Sequence, residues 1–267
     1  MSAIDIVSAS RDTSIRSIAY VTAIVYNLWI NREEAGANSM AGRFKVSIIL
    51  PTLNEAENIG KVIDEIRKQD LEKKGYDVGI LVVDGNSVDG TRQIAEDKGA
   101  EVVIEPRKGK GRAMRTALKL ADADFIFMLD ADYTYPAGYI IEMLGLLQES
   151  CPVVIGSRLG GQIEQGSMSR LNVIGNNILT LMANLLYRTR ISDLCTGYWG
   201  LRAEVIPNLN LLADGFDFEA DLFTQVAKKG YHIGEVPIFY RRRQTPAKLN
   251  SIRDGLKIGW ALITKKF

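Results

Sequence analysis

A chain of 267 residues, 46% hydrophobic and 24% charged, is too apolar for intrinsic disorder and long enough to enclose a sizeable core. Its 33 Lys and Arg against 32 Asp and Glu leave a net charge of +1, so no global field recruits nucleic acid or an anionic membrane, and any such attraction is local. Two cysteines, Cys151 and Cys195, cannot build a disulfide framework or a zinc site, and the single His232 leaves little room for a His base, so catalysis falls to carboxylates, cations or a metal.

Taken in chain order, the first apolar stretch is Ser17 to Ile30, too short to span a membrane and interrupted by Asn27. The following Asn31-Arg32-Glu33-Glu34 is a poor signal-peptide cleavage region, so residues 1–40 read as an extension, either a peripheral helix or a poorly ordered segment. A main domain is expected over 41–250 and a basic amphipathic helix over 251–267. From Lys45 onward, short β-branched runs alternate with helical patterns, the signature of βαβ units in a mainly parallel sheet flanked by helices.

Val46 to Leu50 reads as a buried strand, and Asn54 and Glu55 open a helix striped by Ile59, Val62, Ile63 and Ile66. Ile80 to Val83 is the next strand, Asp89 a helix cap, and Val102 to Ile104 a further strand. Met114, Ala117, Leu118 and Ala121 stripe another helix, and Phe125 to Leu129 is a strand ending at Asp130. A helix to about Glu149, a strand near Val153 to Ile155, a long helix near Leu171 to Tyr187, and strands near Tyr198 to Leu201 and Ile233 to Tyr240 follow. His232, just before the last of these, reads as structural.

Open parallel sheets bind ligands beyond the carboxyl ends of their strands. Pro51-Thr52-Leu53-Asn54-Glu55, Asp84-Gly85-Asn86-Ser87 and Asp130-Ala131-Asp132 all occupy such ends. Any one of them alone is an ordinary turn; their convergence points to a site. It is neither a P-loop, since Thr91-Arg92 replaces the required Lys-Ser/Thr, nor a dinucleotide fingerprint, since Met114 replaces the third glycine after Gly109-Lys110-Gly111. Asp130 and Asp132, two residues apart at a strand end, can share a hard divalent cation that takes its other ligands from water and a diphosphate. Such a cation neutralises charge on a nucleoside diphosphate leaving group.

Together with Val82-Val83-Asp84-Gly85-Asn86-Ser87-Val88-Asp89-Gly90-Thr91, Gly109-Lys110-Gly111 and Gly156-Ser157-Arg158, these motifs resemble glycosyltransferase family 2, and within it the dolichyl-phosphate mannose or glucose synthases. The resemblance runs from about Val46 to Leu249. It implies the A-type, Rossmann-like glycosyltransferase fold, an α/β architecture. It also implies that Pro51, Leu53, Asn54, Glu55, Val83, Asp84 and Gly85 line the nucleotide, and that Lys110 lies near it. Asp130, Ala131 and Asp132 would meet ribose and diphosphate, with Asp132 the principal ligand of Mg2+ or Mn2+. Arg158 and Arg170 would hold an acceptor phosphate, and Arg242 and Lys248 would close over the donor; the planar guanidinium suits phosphate. The implied partners are a GDP-mannose or UDP-glucose donor and a polyprenyl or dolichyl phosphate acceptor, with the enzyme peripheral at the cytoplasmic face of a membrane and no nucleic acid involved.

Two departures bear on detail. Thr134 stands where mannose synthases commonly carry a metal-binding Gln, and Gly85 stands where many members carry a second Asp. The chemistry is coherent without the family: a phosphate monoester, with a second pKa of about 6, attacks already ionised and needs no histidine base. A family member using a hydroxyl acceptor, with Asp193 or Glu219 as base, is the competing reading. A sugar nucleotidyltransferase and a non-catalytic binding module are the others. At the carboxyl end, Arg241, Arg242, Arg243, Lys248, Arg253, Lys257, Lys265 and Lys266 face only Asp254. There Ile252, Leu256, Trp260, Ile263 and Phe267 form one helical stripe, suited either to a headgroup layer or to packing on the domain.

Overall fold

The computed structural model describes residues 43–245 and 251–266; the expectations for residues 1–40 and for Lys248 lie outside them. Strand and helix alternate as β1 (Phe44–Thr52), α1 (Ile59–Arg67), β2 (Tyr76–Asp84), α2 (Thr91–Asp97), β3 (Glu101–Ile104), α3 (Lys110–Leu120) and β4 (Phe125–Met128). After a 3-10 turn at Ala137–Tyr139 come α4 (Ile140–Glu149), β5 (Val153–Ile163), α5 (Arg170–Tyr187) and β6 (Trp199–Arg202). A second 3-10 turn at Ala203–Asn208 leads to α6 (Phe218–Lys228), β7 (Ile233–Tyr240) and α7 (Ser251–Thr264).

The strands form one seven-stranded sheet in the order β3-β2-β1-β4-β6-β5-β7. β6 runs antiparallel to both β4 and β5, while the remaining pairings are parallel. This topology brings the carboxyl ends of β1, β2, β4, β5 and β7 to one edge, together with the amino end of β6. Polar residues far apart in sequence therefore meet there.

Strand alternation divides the core between the two faces. Val46, Ile48, Leu50, Phe125 and Phe127 pack on one face with the buried stripes of α1 and α4. Ile49, Leu81, Val83, Ile126 and Met128 pack on the other with α3, α6 and the buried sides of α5 and α7. Since the central strands are covered on both faces, they read as continuous apolar runs. β2 and β5 outrun those runs: β2 begins at Tyr76, and β5 continues to Ile163, resuming its pairing with β7 after a register shift between Ser157 and Gln162.

The C-terminal helix holds on by a different side from its large apolar stripe. Ile258, Ala261 and Leu262 are buried, the Tyr187 hydroxyl donates to the Leu262 carbonyl (2.9 Å), and Lys265 pairs with the buried Asp221. Leu256, Trp260 and Ile263 face solvent. No described helix is long and apolar enough to cross a membrane.

Candidate active site

The turns after β1 and β2 are laced together. Asn54 adopts a left-handed φ of 50°, which Asn tolerates better than most residues. Its amide donates to Ser87 Oγ (2.8 Å) and its Oδ1 accepts from the Val88 amide (2.9 Å). Asp84, wholly buried, accepts the Ser87 amide at 2.8 Å and lies 3.5 Å from Arg92, while the Gly85 amide donates to the Thr52 carbonyl (2.8 Å). Pro51 is half-buried and Leu53 is exposed at the rim. Asp89 serves α2 from one residue further out than a cap, accepting from the Thr91 amide (3.1 Å), since Gly90 holds the cap position.

After β4, Asp130 and Asp132 take opposite cations. Lys110 Nζ lies 2.5 Å from Asp130 Oδ1 and 2.6 Å from Glu219 Oε1, bridging the start of α3 to the start of α6. Burial alone pulls the Lys110 pKa down, but Asp130 and Glu219 outweigh it and hold the ammonium above its ordinary value. Burial and the neighbouring Asp130 raise the Glu219 pKa against the pull of Lys110. Asp130 has room because residue 197 is glycine: a Cβ there would stand 2.6 Å from Asp130 Oδ2. Lys110 is set by Gly109, whose φ of 132° and approach to the Asp214 carbonyl admit no side chain.

Asp132 is nearly buried. Its Oδ1 accepts from the Thr134 amide (3.1 Å) and hydroxyl (2.5 Å), and its Oδ2 lies 3.2 Å from Arg243 Nη1. Burial and Asp130 push its pKa up despite Arg243 and Thr134. Thr134 thus positions the carboxylate rather than standing idle in the place of a ligand. The other arm of Arg243 reaches Glu55 Oε1 at 3.1 Å, and Glu55 Oε2 accepts from Asn58 Nδ2 (3.1 Å).

Arg242 lies outside this cluster, exposed, with its amide donating to Glu164 Oε2 (2.6 Å). The alternation of β7 buries Val236 and Ile238, and continuing it beyond Tyr240 points to Arg242. It breaks there because the Arg241 amide leaves the sheet to donate to the Thr134 carbonyl (3.0 Å). Arg241 then pairs with Glu65 (2.7 Å) and lies over Tyr133 at 4.4 Å, and Arg243 turns inward.

Arg158 is buried and holds Asp193 by a two-pronged contact, Nε to Oδ2 and Nη2 to Oδ1, each 2.8 Å. Burial is outweighed by Asp193, which raises the Arg158 pKa well above its ordinary value. Arg170 is exposed at the first residue of α5, behind the Ser169 cap. The structure therefore pairs Asp130 with Glu219 through Lys110 and Asp132 with Glu55 through Arg243, sets Asp84 in the turn after β2, and gives Arg158 an internal partner. The two residues that sequence reasoning passed over are Arg243 and Gly197. The run of three arginines after β7 was the only signal for the first, and the close approach to Asp130 is invisible before folding.

Among the described residues, no cluster of three or more His, Cys, Asp or Glu side chains could hold a metal unaided. Asp130 and Asp132 nonetheless fit a hard cation: both donors are oxygens, and Mg2+ or Mn2+ retains waters and completes its shell from substrate phosphates. The raised Asp132 pKa marks a carboxylate that gains from a nearby cation.

Residues 47–209 match the family described as Glycosyl transferase family 2. Glycosyltransferase AglJ of Haloferax volcanii is 38% identical over 213 residues, 79% of this chain and 68% of AglJ. The dolichyl-phosphate hexose transferase of the same organism is 31% identical over 218 residues, 82% of this chain and 92% of that protein. Among solved structures, glucosyl-3-phosphoglycerate synthase from Mycobacterium tuberculosis, in complex with Mn2+, uridine diphosphate and glucosyl-3-phosphoglycerate, superposes with a TM-score of 0.67 at 23% identity, covering 84% of this chain and 80% of that one. Mannosyl-3-phosphoglycerate synthase from Rubrobacter xylanophilus gives 0.62 at 25% identity, covering 84% and 73%. The fold is that of the A-type glycosyltransferases.

Proposed function

The chain belongs to glycosyltransferase family 2, and from that premise we propose that it transfers a hexose from a nucleoside diphosphate sugar to a polyprenyl phosphate, with inversion at the sugar C1. Glycosyl transfer, not nucleotidyl transfer, is the reaction of this family. The observation that carries the acceptor is the state of the candidate bases. A hydroxyl acceptor needs a carboxylate free to take its proton. Asp193 is wholly buried in a two-pronged ion pair with Arg158, and Glu219 is tied to Lys110 at 2.6 Å. A phosphate acceptor needs neither. The relative named dolichyl-phosphate hexose transferase, matched over 92% of its length, supports the same class.

In this reading a phosphate oxygen of the lipid forms the bond to C1 as the bond from C1 to the donor diphosphate breaks, and the nucleoside diphosphate departs with the electron pair. No proton moves, because a phosphate monoester is largely ionised at neutral pH, its second pKa being about 6. Asp130 and Asp132 would hold Mg2+ or Mn2+, which supplies charge neutralisation at the leaving diphosphate. Lys110 holds Asp130 in place through their ion pair. Thr134 fixes Asp132 so that one oxygen faces the site. Arg243 leaves Asp132 and Glu55 for the donor diphosphate, its fork suited to phosphate oxygens. Pro51, Leu53, Asn54, Glu55, Val83, Asp84 and Gly85 line the base and ribose. Arg170, exposed at the head of α5, receives the acceptor phosphate, and Arg158 shapes the wall behind it from its pair with Asp193.

The test is incubation with labelled GDP-mannose or UDP-glucose, Mg2+ or Mn2+ and polyprenyl phosphate, followed by organic extraction. Label in the organic phase is expected and identifies the donor. Label that stays aqueous with lipid phosphate, yet passes to a hydroxyl acceptor, refutes the reading. Full activity of Asp132→Ala at saturating donor refutes the metal assignment.

A further inference from the structure

Among the described residues, five other than glycine adopt a left-handed φ: Asn54, Asp70, Asn86, Tyr133 and Arg188. Three of them carry the short amide or carboxylate side chains that tolerate it, and Arg188 ends α5 as its C-cap, a position that favours it. Tyr133, with a φ of 66°, has neither reason, and a bulky aromatic residue is strained there.

Tyr133 stands between Asp132 and Thr134, and its conformation decides how those two meet. The left-handed turn brings the Thr134 amide (3.1 Å) and hydroxyl (2.5 Å) round onto Asp132 Oδ1, leaving Oδ2 toward Arg243. At the negative φ usual for tyrosine, the following peptide would rotate and carry Thr134 away from that oxygen. Asparagine or glycine would take the turn at less cost, so the backbone alone does not account for a tyrosine.

The ring accounts for it. Half-buried, it lies under the Arg241 guanidinium, 4.4 Å from the ring centre, with Lys61 of α1 at 6.0 Å. Arg241 is itself fixed: its two arms pair with Glu65 Oε2 and Oε1 at 2.7 and 2.8 Å, and its amide donates to the Thr134 carbonyl (3.0 Å). Glu65 in turn accepts the Ala137 amide (3.3 Å). One residue therefore grips both the side chain at the strained position and the peptide after it. Strain of this kind persists only where the surroundings over-determine it, and it gathers at functional sites.

We propose that Tyr133 is a positioning residue for Asp132: its ring, captured by Arg241 and Lys61, holds the left-handed turn that fixes the carboxylate for a divalent cation. The inference rests on the reading of Asp132 as a metal ligand. It adds that the segment after β7 sets the affinity for that metal through a side chain that is not a ligand.

The test is calorimetric titration of the full chain with Mn2+ alone, beside the thermal midpoint of each variant. Tyr133→Phe keeps the ring and should bind Mn2+ as the wild type does. Tyr133→Val, whose branched Cβ resists positive φ, should bind about tenfold more weakly. Tyr133→Gly can take the turn but nothing holds it there, and it should fall between the two. Arg241→Met should weaken binding severalfold on its own and add little to Tyr133→Gly, since the ring it grips is gone. A structural role alone would lower the thermal midpoints and leave the Mn2+ affinity of the folded protein where it was. Affinity unchanged in Tyr133→Val, or in both Tyr133→Gly and Arg241→Met where the valine variant does not fold, overturns the proposal. So does weakening by Tyr133→Phe as large as by Tyr133→Val, or a wild type that takes up no Mn2+. Asp132→Ala that binds Mn2+ as tightly as the wild type refutes the metal assignment and the inference with it. Asp132→Ala that loses the ion while Tyr133→Val keeps it refutes the inference alone.

Discussion

Arg243 sets one guanidinium nitrogen 3.2 Å from Asp132 Oδ2 and the other 3.1 Å from Glu55 Oε1, so a single cation ties the end of β4 to the end of β1. The guanidinium rests on the carboxylate that a divalent ion would claim, and the two compete. Arg243→Ala should therefore bind Mn2+ more tightly in the absence of donor. With donor it should show a KM raised about tenfold, roughly 1.4 kcal/mol, because the diphosphate loses its fork. Calorimetric titration of Mn2+ and steady-state kinetics measure the two effects. Weaker Mn2+ binding by the variant would contradict the competition.

Lys110 bridges Asp130 and Glu219, its Nζ lying 2.5 Å from the one and 2.6 Å from the other. Removing it leaves two carboxylates facing each other in a buried place. Lys110→Met should lose roughly 3–5 kcal/mol of unfolding free energy, the range for a broken buried pair. Adding Glu219→Gln should recover part of that loss, since one of the stranded charges goes. Urea denaturation of the single and double variants decides it: a double variant no more stable than the single one would show that the pairing is not what Lys110 supplies.

How much of this was legible beforehand follows from which forces act locally. The strands and the α1 and α3 stripes were readable because burial on both faces writes itself into short apolar runs, and the Asp130-Ala131-Asp132 pair because a strand end fixes where its side chains go. β5 beyond Ile155 was not readable, since its polar residues are held by pairing with β7 across a register shift. Arg242 was named over Arg243 on the family resemblance alone, and which of the arginines turns inward is set only in the fold, where the Arg241 amide leaves the sheet for the Thr134 carbonyl. The partner of Lys110 lay 109 residues along the chain at Glu219, a contact that only the topology creates. The stripe on α7 was visible, but its side was not: the helix packs against the domain through Ile258, Ala261 and Leu262 instead.

Gly197 comes before β6 and faces Asp130 across the edge of the sheet. A Cβ at that position would sit 2.6 Å from Asp130 Oδ2, and the carboxylate would have to move. Gly197→Ala should cost about 1–3 kcal/mol of stability, as overpacking does. The larger effect should be on the metal: the Mn2+ concentration for half-maximal transfer should rise severalfold, because Asp130 no longer lies where it can share the ion. Metal titrations of activity at saturating donor test this. An unchanged Mn2+ requirement would mean that Asp130 contributes nothing to holding it.

Glu105, just after β3, is buried and takes hydrogen bonds from Arg107 Nε (2.7 Å), Arg107 Nη2 (2.7 Å) and the Thr116 hydroxyl (2.7 Å). Arg107, and after it Thr116, hold its carboxyl down from 4.5 to about 2. A folded pKa below the unfolded one means that the carboxylate stabilises the fold fully above pH 4.5 and progressively less as pH falls toward about 2. Glu105→Gln should accordingly be less stable than the wild type at neutral pH. It should also lose less stability on acidification, so that the two proteins converge near the bottom of that window. Urea midpoints for both proteins at neutral pH, at pH 4.5 and at intermediate steps down toward about 2 follow the convergence. Midpoints that fall in parallel would show that Glu105 titrates alike in the folded and unfolded chains, and that its bonds to Arg107 and Thr116 do not hold the β3 end in place.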